Sequence, residues 1–209
     1  MNEIIPGILE QEWVEIEKKL EIVSQFSRTV HIDLIDGKFA PNKTFLDPTP
    51  FSRWTEKLFI ELHLMVEEPV QYLDAWGKVG VKRFVGQIEQ MSSQYTFIEK
   101  AKEYGEVVLA IDGKSALEQI TEPLTNLDGL LIMTIDAGFS GQEFVLDYAK
   151  KCEEVRAKNA GLIIEVDGGI NLDTLSQAKT IGANRFVCTS ALFEALSPEE
   201  AYLQLTEVL

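Results

Sequence analysis

The sequence predicts a single α/β domain of the (β/α)8 TIM-barrel class spanning residues 1–209, and three observations predict it. Apolar runs of strand length alternate with amphipathic segments of helical period from one end of the chain to the other. The runs are continuously apolar rather than alternating, which suits parallel strands buried on both faces. No Pro/Gly/Ser-rich linker divides the 209 residues, a length at the lower bound for eight strand-then-helix units. A doubly wound open sheet is the competing arrangement. It needs fewer strands and a glycine fingerprint opening the first helix, and no such fingerprint follows the first apolar run.

The elements follow in order. Strands are expected over residues 4–9, 29–36, 58–66, 83–89, 106–112, 129–136, 162–169 and 185–190. Amphipathic segments over 10–26, 69–79, 94–104 and 143–158 supply helical crossovers, which successive parallel strands require. The last helix opens at Ser197-Pro198-Glu199-Glu200, with a capping serine, proline at the first helical position and acids in the first turn.

Composition narrows the function. Hydrophobic residues at 45% and charged residues at 25% are ordinary for a globular protein. Nineteen basic residues against thirty-four acidic ones leave a formal charge of -15. That charge repels nucleic acid and anionic lipid, so neither is expected as a partner. An anionic substrate would need a local device, such as backbone amides or a metal ion. The two cysteines, Cys152 and Cys188, are too few for a disulfide framework, and Cys188 lies in an apolar run as a small buried residue does. Met1-Asn2-Glu3 lacks the basic start of a signal peptide, and no apolar stretch approaches the roughly 20 residues that span a bilayer. The cytoplasm is the expected location.

Barrel enzymes carry their chemistry at the C-terminal ends of the strands. The chain has only two histidines, and both fall at such ends beside acids: His31-Ile32-Asp33 in the second run and His63 in the third. Residues two apart on a strand share a face, so His31 and Asp33 point together. Imidazole with carboxylate is a ligand set for a divalent transition metal. Asp36 ends the second run as well, and Glu89, Asp112, Asp136 and Asp167 end further strands; for Asp112 and Asp136 a turn-capping role suffices. Glycines follow the sixth and seventh strands, at Gly138-Phe139-Ser140-Gly141 and at Gly168-Gly169, and Thr189-Ser190 ends the eighth. Barrels commonly hold phosphate there, on backbone N–H groups and a helix N-terminus.

Together these motifs resemble the ribulose-phosphate 3-epimerase family. His31-Ile-Asp-Leu-Ile-Asp36-Gly37-Lys-Phe-Ala-Pro41-Asn42 is similar to its second-strand signature. Leu62-His63-Leu64-Met65-Val66, with Pro69 after it, is similar to the third-strand motif. Met133-Thr134 through Gly138-Phe139 and Gly141-Gln142 resembles the sixth-strand lid, and Glu165-Val166-Asp167-Gly168-Gly169-Ile170 the seventh-strand motif. The resemblance implies a metal-dependent isomerase that interconverts D-ribulose 5-phosphate and D-xylulose 5-phosphate through a metal-stabilised enediolate. It implies one divalent ion (Zn, Fe, Mn or Co) on His31, Asp33, His63 and Asp167, with Asp33 and Asp167 as the two acid/base residues. It further implies substrate contacts from Gly7, Met65, Met133, Gly138, Ser140, Gly141, Gly168, Gly169, Thr189 and Ser190, the residues from Ser140 onward gripping phosphate, and a homo-oligomer.

Several positions depart from the family pattern. Gly7 replaces a serine, Gln87 a histidine, Ala137 a proline, Ser140 a glycine, and Thr189 the glycine that precedes Ser190. The fifth strand ends Asp112-Gly113-Lys114-Ser115 instead of in a proline-containing run. These departures lie on the substrate side and leave room for another ketose phosphate, such as a hexulose 6-phosphate, or for a barrel that binds a sugar phosphate without catalysis. Barrel decarboxylases and synthases need a lysine beside the acids of the third strand, where this chain has Glu61-Leu62-His63.

Overall fold

Eight parallel strands close on themselves in sequence order, with the last returning to the first. They are β1 (Glu3–Ile8), β2 (Thr29–Ile35), β3 (Phe59–Met65), β4 (Arg83–Gln87), β5 (Glu106–Ile111), β6 (Gly129–Met133), β7 (Ile163–Asp167) and β8 (Arg185–Cys188). The computed structural model describes residues 2–209; Met1, the first residue of the expected domain, lies outside the described residues. Every strand leaves the ladder one to three residues before its apolar run ends. The remaining apolar residues line the mouth instead: Ile135, two residues past β6, is buried in the wall of the central cleft.

The crossovers are less uniform than eight strand-then-helix units. Helices α1 (Trp13–Val23), α2 (Leu73–Lys78) and α3 (Gln94–Ala101) follow β1, β3 and β4. The segment after β6 is split into α4 (Leu146–Ala149) and α5 (Lys151–Lys158). Helix α6 (Leu172–Thr180) follows β7, and α7 (Ser190–Phe193) and α8 (Pro198–Glu207) follow β8. Between β2 and β3, and between β5 and β6, only short 3-10 turns occur, at Thr49–Arg53, Leu117–Gln119 and Leu124–Asn126. Pro41, Pro48 and Pro50 in the first connection and Pro123 in the second remove donors that an α-helix needs. Helix α8 starts as its sequence predicts, Ser197 accepting from the Glu200 N–H at 3.3 Å. Helix α6, not singled out by periodicity, is capped by Asn171, whose side chain accepts from Asp173 and Thr174 while Thr174 returns a bond to the Asn171 N–H.

Strand residues alternate between two cores. Outward residues meet the helices around the fully buried Phe51, Trp76, Phe84, Phe97 and Phe186. Inward residues of β4, β5 and β6 form a small apolar patch of Val85, Val108, Ala110, Leu131 and Met133. The inward floor on the other side is ionic. Arg185 donates to Glu165 at 2.8 Å, to Glu61 at 2.5 Å and to Glu3 at 2.5 Å, and Arg83 donates to Glu106 at 2.5 Å and lies 3.2 Å from Glu61. Both cysteines are buried and unpaired. Among the described residues no helix is long and apolar enough to cross a membrane. Replacing Arg185 by Leu strands the buried carboxylates of Glu61 and Glu165, and chemical denaturation is expected to show a loss of about 3–5 kcal/mol.

Candidate active site

Strand alternation brings the expected quartet together. On β2 it turns His31 and Asp33 inward, on β3 Glu61, His63 and Met65, and on β7 Glu165 and Asp167. The β2–β3 register sets His31 opposite Glu61 and Asp33 opposite His63. One ligand atom from each of His31, Asp33, His63 and Asp167 lies within 4.8 Å of the others. All four residues are buried, the two imidazoles completely.

The neighbours of each imidazole determine where its ring hydrogen sits. His63 Nε2 lies 2.9 Å from Gln87 Oε1, while the Gln87 amide donates to Glu89 at 2.7 Å. Because the Glu89 carboxylate only accepts, the Gln87 oxygen must face His63, and the ring hydrogen belongs on Nε2. That leaves His63 Nδ1 as the acceptor, 3.1 Å from Asp33 Oδ1 and 3.8 Å from Asp167 Oδ2. His31 repeats the arrangement with the opposite nitrogen. Its Nδ1 donates to Glu61 at 2.7 Å, and its Nε2 faces Asp33 Oδ1 at 3.3 Å with no hydrogen-bond partner among the described residues.

Two ring nitrogens and two carboxylates therefore converge on one point. Without a cation such a cluster favours protons. Burial, and next the charge of Asp33, push Asp167 up to about 7. Burial opposes a charged His31, but Asp33 and the carboxylates of Glu165 and Glu61 hold its imidazolium form well above the usual range. Burial likewise opposes an ionised Asp33, yet the positive charge of His31 and the closeness of both imidazoles hold it well below the usual carboxylate range. A buried nitrogen without a partner, a second aimed the same way and two facing carboxylates fit a divalent transition-metal ion. Glu61, Gln87 and Glu89 would act on that ion only through the histidines they orient.

A narrow cleft opens above this cluster. Asp33, Met65, Met133, Gly138, Ser140, Gly141, Asp167, Gly168, Gly169, Thr189 and Ser190 all line it. His31 and His63 lie beneath the lining, and Gly7 lies on β1 under the Thr189 side chain. Gly169, with φ of 67°, has room for nothing larger: a Cβ there would come within 2.7 Å of Phe144 Cα and 3.0 Å of Gln142 O. Over the mouth, Asn42 Nδ2 donates to the Gly138 carbonyl at 2.8 Å, joining the loops after β2 and β6. The other strand-end acids serve loops. Asp36 accepts from the Lys38, Phe39 and Glu67 N–H groups, Asp112 from Lys114, and Asp136 pairs with Lys114 at 2.7 Å.

Sequence reasoning did not assign roles to Glu61, Gln87 and Glu165 around the histidines, nor to Leu9, Phe139 and Val187 in the cleft wall. The signal for the glutamates was present: Glu61 and Glu165 stand two residues before His63 and Asp167 and so share their strand faces. If Gln87 holds the His63 tautomer, Gln87→Leu is expected to weaken divalent-metal affinity by about 10- to 100-fold with the far-ultraviolet circular dichroism unchanged. Chelator competition reads the affinity.

Residues 3–193 match the ribulose-phosphate 3 epimerase family. Ribulose-phosphate 3-epimerase of Schizosaccharomyces pombe is 34% identical over 203 residues, covering 94% of this chain and 89% of the relative. The cytoplasmic isoform of ribulose-phosphate 3-epimerase of Oryza sativa is 30% identical over 204 residues, covering 94% and 90%. Among solved structures, 3-keto-L-gulonate-6-phosphate decarboxylase of Vibrio cholerae superposes with a TM-score of 0.71 at 12% identity, over 100% of this chain and 97% of that one, a likeness of fold alone. With its matched length and its whole-chain relatives, this chain belongs to the ribulose-phosphate 3-epimerase family, a family of isomerases.

Proposed function

We propose that the protein is a metal-dependent sugar-phosphate 3-epimerase acting on D-ribulose 5-phosphate and D-xylulose 5-phosphate. The observation that carries this reading is the facing pair Asp33 and Asp167, both lining one cleft and both within reach of the two inward histidine nitrogens. Inverting a carbon beside a ketone requires taking its proton from one face and returning a proton to the other. Two carboxylates at one mouth suit that exchange. In one direction Asp33 accepts the C3 proton and Asp167 delivers one to the opposite face; in the reverse direction they trade roles. A divalent ion held by His31, Asp33, His63 and Asp167 would supply Lewis-acid stabilisation of the negative charge that develops on the sugar oxygens.

The remaining residues bind and shield. Backbone amides around Gly141, Gly169 and Ser190 provide the local anion device that a chain of charge -15 needs for a phosphate. Met65 and Met133 present soft apolar surface beside the acids, and both are buried. Loop 6, residues 137–141, roofs the cleft with Phe139 and is fastened to loop 2 through Asn42, so water is kept from the reacting carbon.

The deciding measurement is exchange of the C3 hydrogen with deuterium when metal-loaded protein and D-ribulose 5-phosphate are mixed in heavy water. Exchange with accumulation of D-xylulose 5-phosphate is expected, and binding of the sugar without exchange overturns the reading. Asp167→Asn is expected to lower kcat by at least about 100-fold with the fold intact, the loss typical of a missing acid/base group. Ser190→Ala is expected to act mainly on KM, because its contact serves ground and transition states alike; steady-state kinetics with a fall in kcat alone would contradict that role.

A further inference from the structure

Three residues that cap helices in this chain behave alike. Ser93, Asn171 and Ser197 have extended backbone (φ -150°, -151° and -136°), and each accepts a hydrogen bond from the first turn of its helix. Thr189 occupies the same position before α7 but does not follow them. Its backbone is at φ -109°, ψ -77°, and its side chain makes no cap bond. The hydroxyl is turned away from the helix, over the end of β1.

Gly7 makes the space for it. A Cβ on Gly7 would overlap Thr189 Oγ1 and come within 2.8 Å of Val187 Cγ1. The place that any side chain at position 7 would fill is therefore already filled by the Thr189 hydroxyl. The level is informative. Gly7 pairs with His31 across β1 and β2, and Val187, the inward residue before Thr189, pairs with Asp167 across β7 and β8. Thr189 Oγ1 thus stands over Gly7 at the β1–β8 seam and Thr189 lines the same cleft as the acid pair, whereas Gly141, Gly169 and Ser190 also border a neighbouring, more open hollow that Thr189 does not reach. The nearby wall is apolar, including Leu9, Val187 and Ile170. A ligand that displaces water there leaves the hydroxyl without a partner unless the ligand supplies one, and stranding a polar group is costly.

We propose that the Thr189 hydroxyl reads the sugar and not the phosphate, hydrogen-bonding an oxygen of the ketose close to the reacting carbon, and that glycine at position 7 is what admits it. This places Thr189 apart from the phosphate-gripping residues among which its sequence position had set it. The inference rests on the ketose-phosphate reading of the site.

Thr189→Val removes the hydroxyl at nearly constant shape, and Thr189→Ser keeps it. Calorimetry on the metal-loaded protein compares two probes, D-ribulose 5-phosphate and inorganic phosphate. Thr189→Val is expected to weaken the sugar phosphate by about tenfold and leave inorganic phosphate within twofold, with Thr189→Ser close to wild type. Gly7→Ala is expected to lose sugar-phosphate affinity as well, and adding Thr189→Gly to it should cost less than the two single losses combined, because both act on one space. Two results overturn the proposal: sugar-phosphate affinity in Thr189→Val within twofold of wild type, or an equal loss for both probes, which would return Thr189 to the phosphate. Absence of C3 hydrogen exchange in the wild type would instead sink the epimerase reading, while the ratio of the two affinities still reports on the hydroxyl.

Discussion

The inside of this barrel buries more carboxylate than its own cations can neutralise. On the floor Arg83 and Arg185 offset the two buried glutamates, Glu61 and Glu165, and extend to the more exposed Glu3 and Glu106 at the rim. One layer higher, Asp33 and Asp167 have only imidazoles for company. Ionised carboxylates cannot remain buried without a counter-charge. Either protons enter, as the raised Asp167 and the protonated tendency of His31 indicate, or a doubly charged ion takes their place. The floor decides which atoms are offered to that ion, since Glu61 takes the His31 Nδ1 hydrogen and leaves Nε2 bare. The arginines therefore matter to chemistry they never touch, by keeping the glutamate beneath His31 an acceptor.

How much of this was legible in the sequence depends on the scale of the contact. Period-2 alternation within one strand sufficed to pair His31 with Asp33, and strand-end placement sufficed to bring His63 and Asp167 to the same rim. The barrel itself followed from apolar runs too continuous for any sheet with an exposed face. What escaped was set by neighbours distant in the chain. Nothing local to Gln87 says that its amide will be gripped by Glu89 and its oxygen turned to His63. Nothing local to residues 112–128 distinguishes a helical crossover from the pair of 3-10 turns observed, beyond the single proline at 123. The strand ends were overrun for a similar reason: Ile135 is apolar because it walls the cleft, and composition cannot tell that use from membership of the ladder.

Departures from the family pattern also look different in three dimensions. Taken singly, a glycine at position 7 and a threonine at position 189 suggest a site losing its substrate contacts. Across the β1–β8 seam they share one volume, and the side chain missing on one strand is returned by the other. Gln87 likewise keeps a polar partner on His63. Barrels of this class host many reactions, so the fold by itself selects none of them. The selection here lies in a handful of inward strand-end side chains and in how their hydrogens are assigned.

The bond from Asn42 to the Gly138 carbonyl joins two connections that leave the barrel at opposite sides of the opening. Loop 2 departs from the strand that carries Asp33, and loop 6 from the strand that carries Met133. While that bond holds, the two loops are tied across the opening, and any widening of the mouth between them has to break it. A single neutral hydrogen bond is a weak latch, worth about 1 kcal/mol net, which suits an entrance that must be crossed twice in every turnover.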